Sequence, residues 1–164
     1  MNLTNLTAQS SFFELAYELN AYNENICREI DVFLPNKLDW FTLRSSLWCF
    51  NRKNLSEFMP ATKEKINKLL DHELENNFHD WYVVNNLSEW LEETTLKKAI
   101  KTWLASSSID SYWLNKQTQM PKEFGQAVLE KMVKIYASQK SKYHIRNIES
   151  VFKLIPPEEL KPAC

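Results

Sequence analysis

Residues 62–104 read TKEKINKLLDHELENNFHDWYVVNNLSEWLEETTLKKAIKTWL, and apolar residues recur through this stretch three or four positions apart. These positions are Ile66, Leu69, Leu70 and Leu74, then Trp81, Val84, Leu87 and Leu91, then Leu96, Ala99, Ile100, Trp103 and Leu104. Thr62, Asp80 and either Thr94 or Thr95 precede the three stripes, where a side chain that caps a helix N-terminus is expected. The stretch therefore predicts three consecutive α-helices.

The glycine content extends this prediction to the whole chain. The chain has 164 residues and one glycine, Gly125, although average usage of about 7% would give roughly eleven. Dinucleotide-binding loops, P-loops and the nucleophile elbow of α/β-hydrolases each need more than one glycine, so these classes are excluded. The Asn-Gly and Asp-Gly turns that favour β-hairpins are absent too. We predict an all-α protein.

The order of the helical stripes predicts the domain organisation. Residues 10–155 carry about eight stripes joined by short connections, which indicates a single domain of antiparallel helix pairs. The pairs recur at about 35–45 residues, so the predicted architecture is a HEAT-like repeat stack, with a compact helical bundle as the alternative. Residues 1–9 are polar and lack periodicity, which predicts a loose leader. Three prolines predict an irregular tail over residues 156–164.

Nothing in the sequence indicates secretion, a membrane span or a bound metal. The N-terminus lacks the charged and apolar regions of a signal peptide, and no run approaches 18 apolar residues. Cys27, Cys49 and Cys164 form no C-x-x-C pair, which favours a reducing cytoplasmic location with Cys27 and Cys49 in the core. The three histidines form no metal-binding motif, and we predict neither a metal nor a cofactor.

Charge is distributed unevenly along the chain, although the net charge is −1. Residues 1–100 have a balance of −5, and residues 97–153 carry eleven basic and four acidic side chains. This pattern fits either a solvated polar face or an anionic partner bound by the C-terminal half. On DNA, lysines would neutralise phosphates and exposed aromatic rings would stack on bases. The candidate nucleic-acid contacts are Lys97, Lys101, Tyr112, Trp113, Lys116 and Lys122.

The tryptophans are numerous, with six in the chain, and helical spacing places most of them in the core. Trp81 and Trp90 are nine positions apart and cannot share one helix face, so one of them is expected to be exposed. The serines at 106, 107 and 108 follow Trp103 and are predicted to end its helix. Their residue type alone does not indicate a nucleophile, because no histidine is close in sequence.

Three tryptophan motifs follow one another over about 36 residues. They read Trp81-Tyr-Val-Val84-Asn85, Trp103-Leu-Ala-Ser106 and Trp113-Leu-Asn-Lys116. This order resembles the bacterial DNA alkylation repair proteins, alkylpurine DNA glycosylases built on HEAT-like repeats. Their pattern is Trp-x-x-Val-Asp at a helix start, then a helix ending in Trp-x-x-Ser, then a loop and Trp-x-x-Arg. The resemblance implies a cationic groove for DNA and a pocket at Trp81 and Asn85.

The same motifs depart from the family where its chemistry is expected. Asn85 stands at the position of the catalytic Asp, and an amide lacks the charge that stabilises a sugar becoming positive as its base leaves. Lys116 stands at the position of the Arg and lacks its planar fork of donors. The loop before Trp113 is also longer than the family pattern. We therefore predict no catalytic residue.

These observations predict a non-catalytic helical-repeat binding protein that grips DNA through a Lys-rich face of its C-terminal half. Two alternatives stay open. The first is a protein–protein adaptor, inhibitor or immunity-type factor, indicated by the acidic cluster of Glu14, Glu18, Glu24, Glu29 and Asp31. The second is an alkylated-base DNA glycosylase that uses another carboxylate, Asp80 or Asp110.

Overall fold

The computed structural model describes residues 24–50, 55–76, 78–116, 120–139 and 142–155. Every regular element in these ranges is a helix, which confirms the predicted all-α class. The predicted leader and tail lie outside the described residues. The α-helices are α1 (Glu24–Phe33), α2 (Trp40–Ser45), α3 (Leu47–Phe50), α4 (Leu55–Phe58), α5 (Pro60–Leu74), α6 (Trp81–Asn86), α7 (Glu93–Ala105), α8 (Gly125–Gln139) and α9 (Lys142–Phe152). The 3-10 helices span Leu34–Asn36, Ser88–Trp90, Tyr112–Lys116 and Lys122–Phe124.

None of the helices in the described part of the chain has the length and apolarity needed to cross a bilayer. The longest are α5 and α8, with 15 residues each, and both alternate buried apolar positions with exposed polar ones. Such helices pack one face against a core and leave the other in water.

Local capping fixes the start of α2. In the sequence, Asp39 precedes a helical stripe of Trp40, Leu43, Leu47 and Phe50, which predicts one helix through Phe50 with Asp39 as its cap. The Asp39 carboxylate accepts a hydrogen bond from the Thr42 backbone N–H at 2.7 Å. The same bond lowers the pKa of Asp39. The predicted long helix through Phe50 is interrupted at Ser46, and α3 continues the chain after this turn. The cap could be predicted because its partner is only three residues away.

The start of α5 depends on a distant residue instead. Thr62 was predicted to open this helix, which is wrong, because the helix begins at Pro60. The buried carboxylate of Asp31, in α1, accepts hydrogen bonds from the Ala61 N–H at 2.9 Å and the Thr62 N–H at 2.6 Å. These two N–H groups have no partner within the helix, so α1 caps α5 through a tertiary contact.

The next two helix starts also differ from their predicted caps. Helix α6 begins at Trp81 as predicted, but the Asp80 side chain makes no capping bond and pairs with Arg44 at 2.6 Å. Helix α7 begins at Glu93, before Thr94 and Thr95, and buries Thr95. The predicted end of α7 is confirmed, since Ser106 follows its last residue.

Contacts between side chains show the directions of neighbouring helices. The Asn67 side chain, in the middle of α5, accepts from the Glu92 N–H at the start of α7 at 2.9 Å. Further along both helices, the Lys98 ammonium lies 2.5 Å from the Glu75 carboxylate. Helices α5 and α7 therefore run in the same direction.

Contacts of α8 show its direction relative to α7 and α9. Lys97 pairs with Glu123 just before α8, and Lys131 of α8 donates to the Ser106 carbonyl just after α7, so these helices are parallel. Helices α8 and α9 are antiparallel. At Gly125, a Cβ atom would meet Ile155 Cγ2 at 3.0 Å, so the missing side chain permits this close approach. The arrangement fits a compact helical bundle, and the repeat stack stays a prediction.

Two groups of buried side chains form the core. The N-terminal cluster contains Cys27, Ile30, Leu34, Leu38, Leu43, Leu47, Phe50, Leu55, Met59, Ile66, Val83, Leu87 and Trp90. The C-terminal cluster contains Leu70, Leu74, Phe78, Trp81, Val84, Leu96, Ala99, Ile100, Trp103, Trp113, Leu114, Met120, Val128, Met132, Ile135, Val151 and Ile155. Helices α5 and α6 contribute to both clusters, and the half-buried Trp40 packs against both.

The prediction that either Trp81 or Trp90 is exposed is wrong. Helix α6 ends at Asn86, and the 3-10 helix Ser88–Trp90 turns the chain before Trp90. Trp81 consequently joins the C-terminal cluster and Trp90 the N-terminal cluster. The Trp90 ring meets the Phe50 ring edge to face at 5.1 Å, and its indole N–H donates to the Phe50 carbonyl at 2.8 Å.

Candidate functional site

An open groove of about 730 Å³ lies between the C-terminal ends of the parallel helices α5 and α7. This volume falls within the range of about 300–1,000 Å³ that is typical of ligand pockets. The described residues that line the groove are Leu74, Glu75, Phe78, His79, Trp81, Lys98, Lys101, Thr102, Ala105, Ser106, Ser107 and Ser108. They come from the end of α5, the segment that leads into α6, and the second half of α7 with the serine loop that follows it.

The floor of the groove is apolar and aromatic. Leu74, Phe78 and Trp81 are buried there, and the Phe78 ring meets the Trp81 ring edge to face at 5.2 Å. Trp81 in turn stacks on Trp113, with ring centroids 5.8 Å apart and planes 13° apart. Aromatic pairs in these geometries are favourable beyond the area they bury. The floor is therefore continuous with the C-terminal cluster.

The rim is polar and carries charges of both signs. Glu75 and Lys98 form an ion pair across the groove from α5 to α7 at 2.5 Å, and the hydrogen bond from Lys98 lowers the pKa of Glu75. Among the described lining residues, Glu75 supplies the only carboxylate. The charges of Glu75 and Lys98 cancel, so Lys101 gives the described lining residues their net positive charge.

Four polar side chains of the lining have no hydrogen bond or ion pair with another residue in the described ranges. They are His79, Lys101, Thr102 and Ser107. Ser106 and Ser108 differ, because their hydroxyls accept from the backbone N–H groups of Ser108 and Asp110 at 3.2 Å and so shape the loop. The four unengaged side chains can therefore donate hydrogen bonds to a bound group.

Lys131 closes the C-terminal end of α7 beside the groove. Its half-buried ammonium lies 4.3 Å from the centre of the Trp103 ring and donates to the carbonyls of Trp103 and Ser106, the latter at 2.8 Å. Desolvation by burial lowers the pKa of Lys131. A cation at this end of a helix offsets the negative end of the helix dipole and binds carbonyls that the helix leaves free.

The predicted nucleic-acid contacts are only partly available. Trp113 was predicted to stack on bases, which is wrong, because it is 0% exposed between Trp81 and Trp103. Lys97 is held between Glu93 at 2.8 Å and Glu123 at 3.1 Å, and these hydrogen bonds raise its pKa. The predicted phosphate contact therefore already has two anionic partners.

The remaining predicted contacts lie apart from Lys97. Lys101 is exposed in the groove, Lys122 is exposed before α8, and Tyr112 is 57% exposed. The structure does not describe the side chain of Lys116. The lysines and the tyrosine thus occupy separate elements, and of this set only Lys101 lines the groove.

The pocket predicted at Trp81 and Asn85 is only partly formed. Trp81 lines the groove, whereas the half-buried Asn85 does not. Neither alternative carboxylate lines it: Asp80 is paired with Arg44, and Asp110 accepts from the Tyr112 N–H at 3.2 Å. In the ranges that the structure describes, no group of three metal-binding side chains comes together.

Phe78, Lys98, Thr102 and Lys131 were not among the predicted site residues. Lys98 and Lys131 take their roles from contacts between elements that are separate in sequence, such as the pairing of Lys98 with Glu75. The sequence identifies the serine run as a helix end, and its position after a stripe that carries Lys98 and Lys101 is the one signal of a site here.

Comparisons with models of protein families, with curated proteins and with solved structures found no match to this chain. The function is therefore inferred from the groove and the residues around it.

Proposed function

We propose that this chain is a non-catalytic binding protein that holds a segment of a partner protein in the groove. The observation that carries this proposal is the combination of an apolar floor at Trp81 with a rim of unengaged donors and one internally paired carboxylate. A polypeptide segment offers apolar side chains, backbone carbonyls and isolated charges together. Binding sites of this kind bury apolar groups and fix orientation with a few polar contacts.

Charge balance favours a protein over DNA as the partner. A DNA backbone presents a phosphate every few ångströms, and affinity comes from several cations that neutralise phosphates together. Lys97 is already paired with Glu93 and Glu123, and Lys98 with Glu75. The exposed lysines Lys101 and Lys122 lie on different elements. Charges placed apart in this way suit isolated ionic contacts better than a continuous DNA backbone.

DNA is the second candidate, and two observations favour it. Lys101 is exposed without a described partner, and Tyr112 presents more than half of its surface. The resemblance to DNA alkylation repair proteins points the same way, since its motif residues Trp81 and Ser106 both line the groove. Base excision is not proposed, because Asn85, Asp80 and Asp110 supply no carboxylate to the groove.

Two finer properties belong to the same proposal. A HEAT-like repeat stack is supported by the parallel course of α5 and α7, which are separated in the sequence by α6, as equivalent helices of successive pairs would be. A cytoplasmic location is supported by the three cysteines without a pairing motif and by the burial of Cys27 as a free thiol.

A peptide selection with a blocked groove tests the function. A library of short random peptides is selected on the wild-type protein, and the recovered peptides are titrated by fluorescence polarisation. Ala105 is exposed and lines the groove, so Ala105→Trp places a ring across it without disturbing the core. The matched control is Ala137→Trp, at an exposed position near the end of α8.

The two variants and a DNA titration separate the candidates. The proposal expects peptides that bind the wild type and Ala137→Trp equally and lose most of their affinity for Ala105→Trp. Duplex DNA is titrated in parallel at low and at physiological salt. Recovery of no specific peptide, together with DNA binding that weakens steeply with salt, would replace the protein partner by DNA.

A further inference from the structure

We infer that the groove recognises an acidic side chain that stands next to an apolar one in the partner segment, with Lys101 pairing to the acid and the Trp81 floor receiving the apolar group. This inference rests on the proposed function and specifies the chemistry of the partner.

The described lining of the groove carries a net positive charge. Lys98 and Glu75 lie 2.5 Å apart and satisfy one another. Lys101 lies one turn along α7 from Lys98, is exposed, and has no ion-pair partner among the described residues. A segment that enters the groove therefore meets a net positive charge, and a carboxylate complements it.

The negative end of the α7 dipole is offset beside the groove. The groove lies at the C-terminal ends of α5 and α7, where free carbonyls ordinarily repel anions. At the end of α7 this repulsion is countered, because Lys131 donates to the carbonyls of Trp103 and Ser106 and adds a positive charge there. The Ser106 N–H also occupies the Thr102 carbonyl at 3.0 Å. An anion beside Lys101 is thus not opposed by the end of its own helix.

Hydrogen-bond donors and apolar rings line the same groove. Thr102 follows Lys101 directly on α7, and Ser107 lies in the loop at the end of the same helix. Both hydroxyls line the groove and are unengaged in the described part of the chain. The buried rings of Phe78 and Trp81 form the apolar floor of the same groove. Charge and apolar surface are therefore presented within one groove, so one acidic residue beside one apolar residue matches both.

The recovered peptides from the selection provide the test. Their sequences should be enriched in Asp or Glu adjacent to an aromatic or large aliphatic residue. The tightest such peptide is then compared with a twin in which its acidic residue is replaced by the corresponding amide. Both peptides are titrated against the wild type, Lys101→Gln and the matched control Lys134→Gln, which changes an exposed lysine of α8.

We expect the change in the protein and the change in the peptide to weaken binding by a similar factor. Lys101→Gln should weaken the acidic peptide by about three- to tenfold, and the amide twin should lose a similar factor on the wild type. Combining both changes should cost little more than either, because they remove the same pair. Lys134→Gln should leave the affinity unchanged.

The other outcomes overturn the inference in distinguishable ways. Peptides that are lost on Ala105→Trp but lack acidic residues, or that bind Lys101→Gln as well as the wild type, would overturn it and leave the proposed function standing. If no peptide binds the wild type in a groove-dependent way, both the function and the inference are overturned. Circular dichroism of each variant verifies that it is folded.

Discussion

The two core clusters differ in the hydrogen bonding of their buried tryptophans. In the N-terminal cluster, the Trp90 indole N–H donates to the Phe50 carbonyl at 2.8 Å. In the C-terminal cluster, the buried indole N–H groups of Trp81 and Trp103 have no hydrogen-bond partner among the described residues. An unpaired buried donor costs about 1–3 kcal/mol, so the C-terminal cluster carries a penalty that Trp90 avoids.

This difference coincides with the position of the groove. Trp81 forms its floor, and Trp103 lies beneath Lys131 at the edge of the serine loop. Native proteins keep few unsatisfied buried donors, and those that they keep are concentrated where function requires a departure from optimal packing. The two clusters therefore differ in the hydrogen bonding of their tryptophans, and the cluster with the unpaired indole N–H groups is the one that lines the groove.

The largest expected effect is in the N-terminal half, at Asn67. Its buried amide donates to the carbonyls of Lys63 and Trp90 at 2.8 Å and accepts from the Glu92 N–H at 2.9 Å. Asn67→Leu should lower the free energy of unfolding by about 3 kcal/mol, because backbone groups at the start of α7 lose their partner. Urea denaturation measures the loss.

The control for this change is Asn86→Leu, at a partly exposed amide that donates to the Tyr82 carbonyl at 2.8 Å. Its loss should be well below that of Asn67→Leu, since water can replace the bond. Equal losses at the two positions would contradict the assignment of Asn67 as the polar centre that joins α5 to α7.

Two matched tryptophan substitutions measure this difference between the clusters as a difference in stability. Trp90→Phe removes a satisfied N–H and leaves the Phe50 carbonyl without that donor, whereas Trp103→Phe removes an N–H that has no described partner. Both lose similar ring volume. Trp90→Phe should therefore be more destabilising by about 1–2 kcal/mol. Denaturation curves that place Trp103→Phe at equal or greater cost would break the distinction between the clusters.

The smallest of the three effects concerns Lys131. Lys131→Met keeps most of the aliphatic packing but removes the donor to the carbonyls of Trp103 and Ser106. A loss of about 1 kcal/mol is expected, because the Ser106 carbonyl loses its donor and the end of α7 loses a positive charge. Lys134→Met, on the exposed face of the same helix, should have almost no effect. If the two variants unfold alike, the capping role of Lys131 is wrong.

Local sequence signals predicted much of this fold, but they failed where a contact with a residue distant in the sequence determines the local structure. The Asp39 cap was predicted because its partner is Thr42. The cap of α5 could not be, because Asp31 reaches it from a separate helix. Helical spacing over residues 81–91 put Trp81 and Trp90 on different faces and predicted that one is exposed, but the chain turns between them, a change that side-chain spacing does not encode.

The candidate site was harder to predict than the fold, for a related reason. A count of lysines along the chain includes Lys97, yet its charge is taken by Glu93 and Glu123, and Glu123 is 26 positions away. The same count cannot separate Lys101, which is unengaged among the described residues, from Lys98. Net charge in a sequence window thus overstates what a partner would meet.

The most direct test of the account is a titration of the ¹⁵N-labelled protein with a selected peptide, followed through the indole N–H signals. Trp→Phe variants assign the signals of Trp81 and Trp90. The account predicts that the Trp81 signal shifts in proportion to bound peptide while the Trp90 signal stays fixed, because only Trp81 lines the groove. A shift at Trp90 with none at Trp81 would place binding elsewhere and contradict the account.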